Sequence, residues 1–262
     1  MIPIGDRLRT RTFPYVNVSI IALNFLVFFY ELSLSSQGFA RGLSELDRFF
    51  FDWGALPACL SDRLGFDTGL PPRVLAAACA QPRELLTPFS AMFIHGGWLH
   101  ILGNILFLWI FGDNVEDRLG HLRYLLFYLA SGLAATAAHV AVNADDVIPS
   151  VGASGAIAGV MGAYLVMYPR ARVAVIIPLF WILGATYVPA VVLIGMWFLL
   201  QVFSGVAALG YATGGSEGVA WWAHVGGFAF GAAVAWLLTL VVVGHRAPVQ
   251  PRPRRGDRFD ES

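Results

Sequence analysis

Six apolar stretches punctuate the chain, at about residues 16–33, 98–112, 122–142, 151–168, 189–209 and 221–243. A helix needs about 20 mostly apolar residues to cross a hydrocarbon core roughly 30 Å thick. Charged residues make up 13% of the 262 positions, against about 25% in soluble domains, and lipid as solvent is the simplest account of that deficit. The second stretch is the shortest and holds His100 and Asn104, so hydropathy alone ranks it lowest. Residues 173–187 are also apolar and adjoin the fifth stretch, with Pro178 and Pro189 interrupting the run.

Arginine distribution sets the crossing count, because short cytoplasmic loops retain basic residues while acidic ones count for little. The chain has no lysine. Arg7, Arg9 and Arg11 precede the first span, Arg118 and Arg123 follow the second, and Arg170 and Arg172 follow the fourth. Arg246, Arg252, Arg254, Arg255 and Arg258 follow the last. The opposite connections, 143–150 and 210–220, contain no arginine. Both termini are therefore expected in the cytoplasm, which requires an even number of crossings. Six fits, with 173–187 as an interfacial or re-entrant lead into the fifth helix. The first loop, about 34–97, carries five arginines on the outer side, but long loops translocate with little regard to charge. The first apolar stretch exceeds a signal-peptide core and reads as an anchor. The arginine- and proline-rich tail, 244–262, reads as disordered and solvated.

Polar residues within spans are expensive in lipid, so each is a candidate for function. His100 and Asn104 lie one turn apart on one face of the second helix. Ser154 opens the fourth within Gly152-Ala153-Ser154-Gly155, and His224 stands near the start of the sixth within Ala223-His224-Val225-Gly226-Gly227. The topology puts all four toward the outer half of the bilayer. Gly155 and Gly159, and likewise Gly227 and Gly231, are small residues at a spacing that lets helix backbones approach closely. If the fourth and sixth helices pack through those faces, Ser154 comes within reach of His224. A serine hydroxyl needs an adjacent base to become a nucleophile, and neutral imidazole serves near neutral pH. His100 and Asn104 can donate to a developing oxyanion. Taken singly, each residue is more simply read as packing or interhelical hydrogen bonding; the conjunction points to catalysis.

These residues resemble the rhomboid family of intramembrane serine proteases. His100-Ile-Leu-Gly-Asn104 is similar to the family's His-x-x-x-Asn, Gly152-Ala-Ser154-Gly155 to its Gly-x-Ser-Gly, and Ala223-His224-Val-Gly-Gly to its Ala-His-x-x-Gly. Glu116-Asp-Arg118 is similar to its Glu-x-Arg. The resemblance implies Ser154 as nucleophile, His224 as base, and Asn104, His100 and the Ser154 amide as oxyanion donors. It also implies substrate entry beside the fifth helix, under the loop 210–220, with Gly214 and Gly215 making that loop a moving cap. Two features depart from bacterial members: no Trp-Arg stands near Leu86 and Thr87, and Ala158 occupies the position of a Tyr that stacks on the catalytic His.

The expected fold is an all-α, six-transmembrane-helix rhomboid-like bundle over 16–243, with an N-terminal tail 1–15 and a C-terminal tail 244–262. The expected activity is hydrolysis of peptide bonds in or near transmembrane helices of other membrane proteins, in a bacterial inner (plasma) membrane. Membrane-protein substrates and lipid are the expected partners; no nucleic acid, cofactor or metal is expected. No His-Glu-x-x-His is present, and Gly152–Gly162 lacks the lysine of a phosphate loop. A non-catalytic membrane adaptor is the alternative, although members of that kind lack the Ser or the His. A transporter using His100, Asn104 and His224 as a polar path is a third, without an acidic residue in the second, fourth or sixth span for ion coupling. Cys59 and Cys79 read either as two unrelated thiols or as a disulfide, the latter only if their loop lies outside the cytoplasm.

Overall fold

In the computed structural model, which describes residues 1–35, 44–79, 83–179, 182–209 and 219–242, each of the six candidate spans contains a helix. The order is β1 (Ile2–Asp6), α1 (Tyr15–Ser35), α2 (Glu45–Trp53), α3 (Pro57–Arg63), α4 (Pro72–Ala78), α5 (Thr87–Ser90), α6 (Trp98–Leu119) and α7 (His121–Val142). It continues with α8 (Ser154–Met167), β2 (Arg172–Leu179), β3 (Ile182–Pro189), α9 (Ala190–Leu209) and α10 (Trp221–Val242). Five helices, α1, α6, α7, α9 and α10, are long and apolar enough to cross a membrane; α8 is apolar but has only 14 residues. The molecule is thus a multi-pass helical membrane bundle. Gly214, Gly215 and the tail 244–262 lie outside the described residues.

Helix α8 is the axis of the bundle. Every residue from Gly155 to Tyr164 is buried, and α6, α7, α9 and α10 all touch it. Its glycines make the closest contact: a Cβ on Gly227 would lie 2.0 Å from the Gly155 carbonyl oxygen, and one on Gly231 2.0 Å from that of Gly159. A Cβ on Gly162 would come within 2.3 Å of the Phe228 carbonyl oxygen. The expected close packing of the fourth and sixth spans is therefore backbone against backbone, where dispersion and not hydrophobic transfer holds helices together in lipid.

At the opposite end from Ser154, Glu116 ties α6 to α1. Its fully buried carboxylate accepts hydrogen bonds from the Val16 and Asn17 amides at 3.0 and 2.7 Å. These belong to the first turn of α1, which has no intrahelical acceptors for them. Asp117 Oδ1 accepts from the Arg11 and Thr12 amides and from the Thr12 hydroxyl. Helix α6 consequently runs to Leu119, beyond the apolar 98–112, because its polar end is satisfied inside the protein.

The described part of 173–187, the expected interfacial or re-entrant lead into the fifth helix, is strand and not helix: β2 and β3 pair antiparallel and run directly into α9, and β1 adds a third antiparallel strand with Ile2 opposite Ile176. Within the expected N-terminal tail 1–15, Ile2–Asp6 are this strand. Val173 and Val175 point into the core, and the Asp6 carboxylate accepts from the Tyr164 hydroxyl at 2.5 Å. The β-branched run with Pro178 and Pro189 suits a pleated surface and resists a continuous helix.

The first loop folds over the other end of the bundle. Cys59 and Cys79 are joined by a disulfide, and Arg63 pairs with Glu84 at 2.7 Å. Ala55 and Ser150 exchange two backbone hydrogen bonds of 3.0 and 2.8 Å, and the Gly152 amide donates to the Ala91 carbonyl at 2.8 Å. The loop thereby grips the connection that leads into α8. The His95 amide anchors it to α1 by donating to buried Glu31 at 3.1 Å.

Gly231→Ala should force α8 and α10 apart and destabilise the protein by about 1–3 kcal/mol, the usual cost of overpacking. Gly195→Ala, where a Cβ meets nothing within 4 Å, should leave the melting temperature of the purified protein in detergent unchanged and serves as the control.

Candidate active site

Ser154 is the first residue of α8, so its amide sits in a helical turn whose N–H groups lack intrahelical acceptors and carry the positive end of the helix dipole. The chain reaches it through Gly152 at φ +130°, a conformation that favours glycine. The same glycine makes room for His100: a Cβ there would lie 2.7 Å from His100 Nε2 and 3.6 Å from Ser154 Oγ. Both side chains therefore face one small volume beside the Gly152 backbone.

The backbone contact between α8 and α10 fixes the second partner. His224, in the first turn of α10, places Nε2 2.7 Å from Ser154 Oγ. Its other nitrogen, Nδ1, lies 2.7 Å from Gln201 Oε1 on α9. The Trp197 ring stands 5.9 Å from the imidazole, centroid to centroid, and Trp221 6.4 Å away, edge-on.

From α6, Asn104 and His100 complete the wall. The Asn104 side chain is buried, and its Nδ2 has no hydrogen-bond partner among the described residues. A buried amide donor without an acceptor is costly, and Asn104 lines the same cavity as Ser154 and His224. The Gly96 amide points at His100 Nδ1 from 3.4 Å, and Nε2 is the ring nitrogen that faces Gly152. All four groups line one cavity of about 650 Å³, together with Gly152 and Trp197. The four residues singled out in the sequence thus converge, although Ser154 and His224 are 70 positions apart.

Residues 82–240 match the family model described as Rhomboid domain. The chain belongs to the rhomboid family. Among curated relatives, RHOMBOID-like protein 5 of Arabidopsis thaliana is 36% identical over 76 residues, 29% of this chain and 25% of that protein. Rhomboid protease GluP of Bacillus subtilis (strain 168) is 43% identical over 82 residues, 31% of this chain and 15% of that protein. Rhomboid-like protein 11, chloroplastic, of Arabidopsis thaliana is 29% identical over 154 residues, 57% of this chain and 51% of that protein. The chain therefore spans about half or less of the length of these relatives.

Against the rhomboid motifs, the structure fills one gap. Ala158 is fully buried and offers His224 no ring; Trp197 and Gln201 from α9 flank the imidazole instead. Gln201 belongs to no motif of the sequence, yet a lone amide within an otherwise apolar span carries the same desolvation cost that marks the other candidates. Gly152→Ala is expected to preserve the bundle but lower cleavage about 10²-fold, the scale of a 1 Å misplacement of reacting groups. Turnover of a transmembrane reporter beside a melting curve checks it.

Proposed function

We propose that the protein is an intramembrane serine endopeptidase that hydrolyses peptide bonds in or near transmembrane helices of other membrane proteins. The observation that carries this reading is the 2.7 Å hydrogen bond between Ser154 Oγ and His224 Nε2 at the wall of the cavity of about 650 Å³ in a membrane bundle. An adaptor that only binds helices has no need of a nucleophile paired with a base.

In this mechanism His224 Nε2 removes the Ser154 proton as Oγ attacks the scissile carbonyl carbon. The resulting oxyanion receives hydrogen bonds from Asn104 Nδ2, His100 Nε2 and the first-turn amide of Ser154. His224 then gives its proton to the leaving amine, and the C–N bond breaks. Water attacks the acyl-serine ester with His224 again as base, and the second peptide fragment leaves. Asn104 is suited to its role because its donor is unpaired before the reaction; preorganised donors need no rearrangement when charge develops.

The topology that goes with this reading has six crossings, with α8 as the fourth, both termini cytoplasmic and the α2–α5 loop outside. Arginine placement supports that orientation. At 1.5 Å per residue, the 14 residues of α8 span roughly 21 Å, so the helix falls short of the membrane thickness and Ser154 sits below the outer surface. A bacterial plasma membrane fits the arrangement, and substrates reach Ser154 from the outer half of the bilayer.

Ser154→Ala and His224→Ala should each abolish cleavage of a tagged transmembrane reporter by purified protein while leaving the melt unchanged, since nucleophile and base act as one unit. Full activity in Ser154→Ala would end the protease reading. Asn104→Ala separates stabilisation of the oxyanion from packing. Turnover should drop about 10²–10³-fold, whereas an interhelical contact alone is worth about 0.6 kcal/mol. Single-turnover cleavage measured beside thermal stability distinguishes the two, and early melting with normal low-temperature cleavage would remove Asn104 from the mechanism.

A further inference from the structure

Helix α9 carries few polar side chains. In Ala190–Leu209 only Gln201 and Ser204 are polar, and Gln201 is buried while most of the helix surface is apolar. A primary amide in a span needs a hydrogen-bond partner to offset its desolvation. Its carbonyl oxygen is 2.7 Å from His224 Nδ1. An amide oxygen can only accept, so Nδ1 must hold the ring proton and donate it. That leaves a lone pair on Nε2, the nitrogen 2.7 Å from Ser154 Oγ.

We propose that Gln201 is a positioning residue that holds His224 in the one tautomer and ring orientation able to take the Ser154 proton. Trp197, one turn earlier on the same face of α9, walls the ring at 5.9 Å, so the imidazole is fixed by an acceptor and a flanking surface from one helix. These contacts come from α9, whereas Ala158 on α8 offers the imidazole no stacking ring. When the Ser154 proton moves to Nε2, the Nδ1 proton stays on the ring and its hydrogen bond to Gln201 strengthens, because the donor has become cationic. Gln201 itself neither gains nor loses a proton. Being neutral, it orients the ring without the charge stabilisation a carboxylate would add.

The inference rests on the hydrolytic reading, and the test keeps the two apart. A fluorophosphonate probe reports Ser154 nucleophilicity directly, with no substrate helix required, and Ser154→Ala supplies its blank. Gln201→Met removes the acceptor at similar volume, and Gln201→Glu restores it with a charge. Gln201→Met should slow both labelling and kcat by about 10²-fold, the low end of what a positioned base contributes, with KM and melting temperature close to wild type. Gln201→Glu should recover labelling and move the acid limb of the kcat/KM profile to higher pH, since a carboxylate at Nδ1 favours the imidazolium and the base must be neutral. His100 on α6 and His139 on α7 also act electrostatically on the ring, but both are common to every variant compared, so the difference from wild type isolates position 201.

Wild-type labelling together with an unchanged rate in Gln201→Met would overturn the inference alone. So would equal losses in the Met and Glu variants that track a lowered melting temperature, the signature of packing. If wild type fails to label above the Ser154→Ala blank, the hydrolytic reading falls and this inference falls with it.

Discussion

The contact between the backbones of α8 and α10 is the constraint from which the site follows. Two helices that touch through Gly155, Gly159, Gly227 and Gly231 are held at a fixed separation and register, with carbonyl oxygens where any side chain would have to go. Residues one turn or less from that seam inherit its precision. Ser154 precedes Gly155 and His224 lies three positions before Gly227, so the 2.7 Å bond between them is set by helix packing and not by a flexible loop. Lipid offers no hydrophobic gain for pressing helices together, and a seam of this closeness substitutes dispersion and short-range complementarity.

Around that seam the polar side chains divide into two kinds. Glu116, Asp117 and Asn17 are satisfied by backbone or side-chain partners, and they join α1 to the α6–α7 turn: Asn17 Nδ2 donates to the Leu108 carbonyl and Asn17 Oδ1 accepts from the Tyr124 hydroxyl. Glu116, resembling the family's Glu-x-Arg, caps a helix far away in sequence. Asn104 Nδ2 is of the other kind, buried and unpaired. Asn24 Oδ1, Tyr128 OH and Ser131 Oγ are buried without a partner as well; what sets Asn104 apart is its place on the wall of the cavity that Ser154 and His224 also line.

What the sequence made legible and what it hid have separate physical origins. Lipid demands long apolar runs, so α1, α7, α9 and α10 are readable almost to the residue. The glycine spacing exposes the α8–α10 seam because only small residues permit it. Residues 173–187 were ambiguous, since Val and Ile suit a lipid-facing helix and a strand alike, and the deciding partner, Ile2–Asp6, is at the other end of the chain. The pairing of Cys59 with Cys79 depends on proximity that no spacing rule provides. Gln201 was hidden for a simpler reason. Its meaning lies in a hydrogen bond to a residue 23 positions away, and no local pattern distinguishes it from an amide used as interhelical glue.

The α2–α5 loop has a structural task that goes with the shortness of α8. In the proposed topology, a helix as short as α8 leaves irregular backbone between the membrane surface and Ser154. Such backbone is tolerated at membrane depth only where protein or a water-filled cavity surrounds it. The α2–α5 loop supplies that environment. Ala55 pairs with Ser150 in both directions, the Ala58 amide donates to the Asp146 carbonyl, and Ala91 receives the Gly152 amide. Gly54 fits against Pro149 and Val151 so closely that a Cβ there would lie 2.8 Å from the Pro149 side chain. The loop is thus better understood as the wall that lets residues 149–153 descend with their hydrogen bonds intact. Its disulfide and the Arg63–Glu84 pair hold that wall in shape, and its contact at Gly152 lies two residues upstream of Ser154.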